Sequence, residues 1–489
     1  MDIVKKDILN VVEDSKSNKT ILKALNTSFI ALIPKQENDL TPDKYRPIAL
    51  CNVIYKIISK VVANRFKPLL PVLVSREQSG YVEGRQILDN NIQAQEVVHS
   101  LTSKKQAGMI MQLDISKAYD KVNWVYLKKM LIAFGFDHIW VRWVMALVTS
   151  SNFSILVNGS PSEIFNPSRG LRQGDSLSPF IFIILMEGLG RAIKQAQYSG
   201  KIKGLKLTDN GQALTHQQFV DDTMLQGLPT VQEASNYKRI LNIFSSASGM
   251  EVNLAKSNFF FFNTNIAIQK NISIILGFQR DSLPSKYLGV PLMTRPLHKS
   301  IWEPLINKLH DKVSKWTIRC LNLTGRLVLT KAVLQAVPIF MLSALPPPKG
   351  VLQQLRDIQR NFLWGRKETK RKWPLVSWDK ICKPKNHGGL GLDDQEILKK
   401  ALGAKLWWHW VQKLDTQWAK IWKEKYANSW QNSDLIRMSG NIKGSYIWNK
   451  AWENRRILQE NSFWEIRNRT LSGRPDSRCM GGADLRCFY

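Results

Sequence analysis

Cysteine is scarce in this chain. Its five residues in 489 (Cys51, Cys320, Cys382, Cys479, Cys487) are odd in number and scattered, with no C-x-x-C pair. That spacing fits neither a disulfide framework nor a zinc site, so reduced thiols, no disulfide-linked partner and an intracellular setting are expected. Long apolar runs are missing as well. The longest, around "PFIFIILM", is about half of the ~20 residues a spanning helix needs, and no membrane partner is expected. The first residues, "MDIVKKDILNVVEDSKSNK", mix charges of both signs and lack the apolar stretch of a secretory signal. Acidic residues are outnumbered, 39 Asp plus Glu against 70 Lys plus Arg, for a formal net charge of +31. Such a surplus favours a polyanionic partner through counterion release, with nucleic acid first and an anionic membrane as the rival.

What is present can build real cores: hydrophobic residues make up 44% of a chain long enough for about two to four structural units. The first three hundreds carry net charges of +3, +5 and +5, whereas 301–400 and 401–489 carry +11 and +7. Tryptophan shifts with the charge, since 14 of the 17 lie after residue 300. Both shifts place a boundary near 295, with "VPLMTRPLHKS" as a Pro-rich linker. Before it, "AGMIMQLDIS" reads as a buried strand, "NWVYLKKMLIAFG" as a helix stopped by Gly135, and "NFSILVNGSPSEIFNPSRG" as a strand pair turning at Asn158-Gly159. "SPFIFIILMEGLGRAIKQAQ" reads as a long helix and "ALTHQQFVDDTMLQG" as a hairpin, which together make an α+β sheet domain. After the boundary every periodic segment is helical, and 471–489 reads as a flexible tail. The tryptophans there could pack a core or stack on bases.

The chemistry starts from Asp221 and Asp222. A lone Asp-Asp pair is ordinarily a solvated turn, and adjacent carboxylates hinder each other's ionisation unless a cation compensates them. Asp114, at the end of "MIMQLD", delivers a third carboxylate to the same sheet, although "DISKAY" also allows it to be a helix cap. Three carboxylates from neighbouring elements can chelate two divalent ions, the arrangement used in phosphoryl transfer, and Mg²⁺ suits such ligands, with Mn²⁺ as a substitute.

Eight blocks stand in a fixed order: "FIALIPK", "YRPIALCNVIYKIISKVVANRF", "SREQSGYVEGRQILDNN", "LDISKAYDKVNW", "RGLRQGDSLSPFIFIILME", "FVDD", "SGMEVNLAKS" and "YLGVPL". In this order the chain resembles the reverse transcriptases of LINE-type (non-LTR) retrotransposons, and "WPLVSWDKICKPKNHGGLGL" is similar to the region downstream of the polymerase in the plant branch. The resemblance implies a right-hand polymerase with an antiparallel palm sheet. Fingers and palm would occupy 1–295, a helical thumb 296–365 and a basic, Trp-rich helical region 366–470. RNA template, DNA primer and deoxynucleoside triphosphates are the implied partners, a nucleus the implied setting, and no oligomeric state is implied.

It also implies roles. Asp114 and Asp221 match the principal metal ligands and Asp222 the second hairpin aspartate. Tyr119 matches the ring that excludes a 2′-hydroxyl; as a bare residue it is equally a core aromatic. Lys35 and Arg46 match the pair that grips the triphosphate, and Gln173 and Gly174 the loop beneath the nascent base pair, where "RQGDSLSP" is otherwise a capped helix start. Lys256 matches a lysine near the departing pyrophosphate, with a solvated lysine as its plain alternative. Lys312, Lys315, Arg319, Arg326 and Lys331 would track the template–primer backbone unless they are merely solvated. Two departures stand out. The blocks of an endonuclease and an RNase H are missing, so a truncated fragment is expected. The hairpin reads Phe-Val-Asp-Asp where Phe-Ala-Asp-Asp is commoner, and Val220 is expected to crowd the primer end. A polymerase, a binding remnant without turnover and a group II intron maturase are the competing readings.

Overall fold

Residues 108–113 are apolar on both sides of the chain except at Gln112, the pattern of a strand covered on both faces. In the computed structural model, which describes residues 4–35, 41–294, 299–316, 321–365, 374–466 and 483–487, this segment (Gly108–Leu113) is the middle strand of a five-stranded sheet. Antiparallel neighbours are Asp222–Gly227 on one side and Asn258–Phe262 on the other. His216–Phe219 closes the hairpin with Asp222–Gly227, and Gln279–Arg280 forms the far edge. Met109 and Met111 enter one apolar core with Ile181, Leu185 and Leu189 of the helix Ser178–Tyr198 and Tyr237 and Leu241 of the helix Val231–Ser248. The second of these helices starts where the Thr230 hydroxyl accepts from Glu233 N–H and ends at Gly249, whose φ of 77° an L side chain rarely adopts.

A four-stranded sheet runs Tyr45–Leu50, Thr27–Pro34, Asn152–Val157, Ser160–Pro161. Asn158 and Gly159, at φ 50° and 83°, make the tight turn that the sequence predicts. The helix Trp124–Ala133 is capped by Asn123, which accepts from Val125 and Tyr126 N–H, so the reading of Asp114 as a helix cap is excluded.

Two compact units result, Met1–Asn90 with Ser100–Leu283, and Asn91–His99 with Pro284–Tyr489. In the second unit the tryptophans pack on one another: Trp407, Trp410, Trp418, Trp422 and Trp448 are buried, with ring centroids 4.8 to 5.8 Å apart. They form a core and present no platform for bases. This unit is not all helix. Val290–Leu292, inside the expected linker, pairs with Ser285–Tyr287 across a turn in which Leu288 and Gly289 both take positive φ. Ala483–Cys487, inside the expected flexible tail, pairs with Ser462–Ile466. Strands of three to five residues are too short for periodicity to reveal.

One helix, Leu323–Ala344, is 22 residues long with mean hydropathy 1.8, apolar and long enough to cross a membrane, and a third of it is buried. A search for unbroken apolar runs passes over it because Arg326, Thr330, Lys331 and Gln335 interrupt the sequence. Those polar groups are bonded within the protein: Thr330 Oγ1 to Arg326 O, Lys331 Nζ to Leu390 O, and Gln335 Nε2 to Asp393 O.

Candidate active site

The register of the sheet builds the site. Leu113 stands opposite Thr223 and Phe219 opposite Asp222, so the residue after Leu113 emerges beside the hairpin turn formed by Val220 and Asp221. Asp114 and Asp221 line one open cavity of about 1010 Å³, together with Lys35, Arg46, Tyr119, Gln173, Gly174 and Lys256. The expected residues from six separate blocks therefore meet in one place. Asp222, expected as a third ligand, is not among the residues that line this cavity; it is the exposed first residue of the returning strand.

Burial pushes the Asp221 carboxyl above its ordinary range, and the charge of Asp114 adds to this. Crowding by the surrounding protein, then by Asp221 and Asp114, pushes Asp222 up to about 6. Among the described residues no lysine or arginine is ion-paired with any of the three. Nor does any group of three or more His, Cys, Asp or Glu among them close tightly enough to enclose an ion. Asp114 and Asp221 on an open cavity, the latter raised in pKa by burial and then by the charge of Asp114, fit a hard divalent cation that completes its shell with phosphate oxygens and water, as Mg²⁺ usually does.

The other walls have local causes. Arg172 and Asp175 anchor the loop around Gln173-Gly174 from below: Arg172 donates to Asn26 Oδ1 and Leu147 O and covers the Tyr55 ring, while Asp175 accepts from the hydroxyls of Tyr55, Ser59 and Ser178. Ser178 opens the long helix, which has no side-chain cap, so the expected capped start is absent and Asp175 holds only the Ser178 hydroxyl there. Gly174 sits at φ 101° with Ala49 O only 3.2 Å from where a Cβ would be. Tyr119 stacks on Phe182 at 4.7 Å, and burial pushes its hydroxyl pKa up. The ring is thus a packed aromatic and a wall of the cavity at once. Lys35 comes directly after the strand Thr27–Pro34 and Arg46 lies in the paired strand, opposite Ile33.

Val220, expected near the primer end, has a buried side chain whose Cγ2 lies 2.5 Å from where a Gly80 Cβ would stand, so it faces the Gly80 backbone. The distal cations divide. Lys331 is engaged with Leu390 O, Arg326 Nε reaches its own helix at Asn322 O, Lys312 and Lys315 lie in the last turn of the helix Glu303–Lys315, and Arg319 lies outside the described residues. Cys51 and Cys382 are free thiols.

Sequence reasoning missed two neighbours of the site. Asn253 Nδ2 donates to Asp114 Oδ2 at 3.1 Å, while Asn253 N–H bonds Asp114 O and Ser257 Oγ accepts from Asp114 N–H. Asp120 accepts from Gln173 Nε2 at 3.5 Å. Asn253 stands three residues before Lys256 in a quoted block, but nothing in its spacing shows that its partner is 139 residues away.

The family profile described as reverse transcriptase (RNA-dependent DNA polymerase) matches residues 33–292, more than half of the chain. The chain belongs to the reverse transcriptase family. Its relatives include an Arabidopsis thaliana protein named for ribonuclease H, 33% identical over 38% of this chain and 32% of its own length. An uncharacterized 149 kDa protein of transposon TX1 from Xenopus laevis is 23% identical over 80% of this chain and 29% of its own. A Pol polyprotein of the retrotransposable element R2 from Popillia japonica is 25% identical over 46% and 31%. The chain spans about a third of the length of these curated relatives. Transposon and R2 relatives agree with the LINE-type resemblance of the motif blocks, and the matched residues contain Asp114, Asp221, Asp222 and Lys256 of this reverse transcriptase.

Proposed function

We propose that this chain is the polymerase portion of a non-LTR retrotransposon protein, extending a DNA primer on an RNA template. In this reading the five-stranded sheet is the palm, residues 1–105 and part of 125–170 are the fingers, and 296–365 the thumb. The observation that carries it is the single cavity in which Asp114 and Asp221 face Lys35, Arg46, Tyr119, Gln173 and Lys256.

Lys35 and Arg46 bind the triphosphate of the incoming nucleotide, the ammonium as a point charge and the guanidinium as a planar fork. Tyr119, fixed by its stack on Phe182, fills the space a 2′-hydroxyl would need. Gln173 supports the nascent base pair on a loop whose roots are buried. Asp114 and Asp221 would hold two Mg²⁺ ions, which when bound lower the cost of ionising the primer 3′-hydroxyl and of charge on the departing oxygen. The hydroxyl oxygen forms a bond to the α-phosphorus, the bond to the bridging oxygen breaks, and pyrophosphate leaves. Lys256, exposed at the cavity, carries a proton to that leaving group.

Extension of a DNA primer on an RNA template with Mg²⁺ tests the reading, with Asp221→Asn alongside. Incorporation by the parent and a loss on the order of 10³-fold or more in the variant are expected. Equal inactivity of both, with template still shifted in a gel, would instead identify a binding remnant.

A further inference from the structure

The turn that carries Asp221 is strained. Val220 has φ 60°, a conformation that costs a β-branched residue more than most, since its Cβ substituents meet the flanking peptide groups. Strain of this kind persists only where the surroundings over-determine it. Here the surroundings come from one side chain 142 residues earlier. Gln78, fully buried, accepts from Val220 N–H through Oε1 at 2.9 Å and donates from Nε2 to Val220 O at 3.1 Å. Its carboxamide thus pairs with both polar groups of the strained residue, as a neighbouring strand would. The same Oε1 accepts from Gly80 N–H at 2.9 Å, which fixes the rotamer.

The segment that bears Gln78 is itself held. Gln218 N–H donates to Glu77 O at 2.7 Å and Ser79 N–H to Gln218 O at 3.0 Å, docking this segment on the hairpin. Arg85 gathers the carbonyls of Val74, Ser75 and Gln78. Gly80 lets the two backbones meet, because a Cβ there would stand 2.7 Å from Val220 N.

We propose that Gln78 is a positioning residue: by pairing with Val220 it holds the hairpin in the strained form that directs Asp221 into the cavity with Asp114. The inference rests on the polymerase reading for its consequence, and on geometry for its existence. Without the carboxamide, Val220 relaxes toward negative φ and the peptide that sets the direction of Asp221 rotates with it.

Replacing Gln78 by methionine keeps its volume and removes both hydrogen bonds. Gln78→Met is expected to lower kcat about 10- to 100-fold, to leave KM for the nucleotide within about threefold, and to weaken Mn²⁺ binding, read by electron paramagnetic resonance without substrate, by a comparable factor. Adding Val220→Gly should recover about tenfold of both losses, because glycine takes this φ without strain and needs no clamp. A merely structural role would leave the double variant as impaired as the single one. Wild-type kcat and Mn²⁺ affinity in Gln78→Met, or no recovery in the double variant, would overturn the proposal. Should the methionine variant fail to fold, Gln78→Asn, whose amide falls one methylene short, takes its place with the same expectations. An inactive parent protein would refute the polymerase reading, and the Mn²⁺ titrations of the single and double variants would still decide the case of Gln78.

Discussion

Each unit of the molecule holds a buried or crowded acid, and the two are treated in opposite ways. In the second unit Glu96 is fully buried and accepts from Trp422 Nε1, Lys425 Nζ, Tyr426 Oη and Ser445 Oγ. Burial alone would raise its pKa, but Lys425 and then the Ser445 hydroxyl outweigh it and hold the carboxyl below the usual range. In the first unit burial, and after it the charges of neighbouring aspartates, raises Asp221 and brings Asp222 up to about 6. A saturated carboxylate stabilises the fold it sits in. An unsaturated cluster costs stability and is kept where a ligand supplies the missing charge.

The largest expected difference tests this contrast directly. Glu96→Ala leaves Lys425 and three further donors without their acceptor and should destabilise the protein by about 3–5 kcal/mol in denaturant melts. Asp222→Asn should leave stability at neutral pH unchanged or raised in the absence of divalent metal, because it removes like-charge repulsion. Equal losses in both variants would break the contrast. Next in size, Tyr119→Ala should let ribonucleotides in, lowering discrimination by roughly 10- to 100-fold in competitive primer extension, since steric exclusion is its only means. Unchanged discrimination would remove Tyr119 from the sugar position. Asn253→Ala should weaken Mn²⁺ binding about tenfold with little change in template affinity, as expected when a metal ligand loses the partner that orients it.

The remaining effects lie in pH. His216, in the sheet, is lowered to about 4 by burial, with Lys194 opposing its charge and Glu77 favouring it. The unfolded chain binds the extra proton between about 6.5 and 4, so stability is full above that window and is lost as pH falls through it. Lys450 is lowered to about 7 by burial, then by Lys399, and donates to Leu342 O and Ser343 O. Here too the unfolded state binds more protons, now between about 7 and 10.5, so stability should rise with pH across that range. Stability profiles of His216→Gln and Lys450→Met should each lose the slope in their own window alone. A slope that survives in the matching variant would assign it to another group.

The residues that sequence made legible are those whose chemistry is rare in its setting. Adjacent aspartates in a basic chain, a carboxylate ending a buried strand and tryptophans at helical spacing each leave a local trace, and Asp114, Asp221 and Trp407 lie where that trace put them in the fold. Gln78, Asn253 and Glu96 left none. Each acts through a partner 139 to 349 residues distant, and glutamine, asparagine or glutamate in a polar block is unremarkable until the chain has folded. The facing of Val220 was illegible for a related reason: it depends on a backbone angle that valine normally avoids.

Glu96 belongs to Asn91–His99, a nine-residue stretch that groups with the helices three hundred positions later. The later half therefore does not carry its own keystone. A shortened reading frame opening after the first hundred codons would encode a tryptophan-rich product in which Trp422, Lys425, Tyr426 and Ser445 lack the carboxylate that accepts from them.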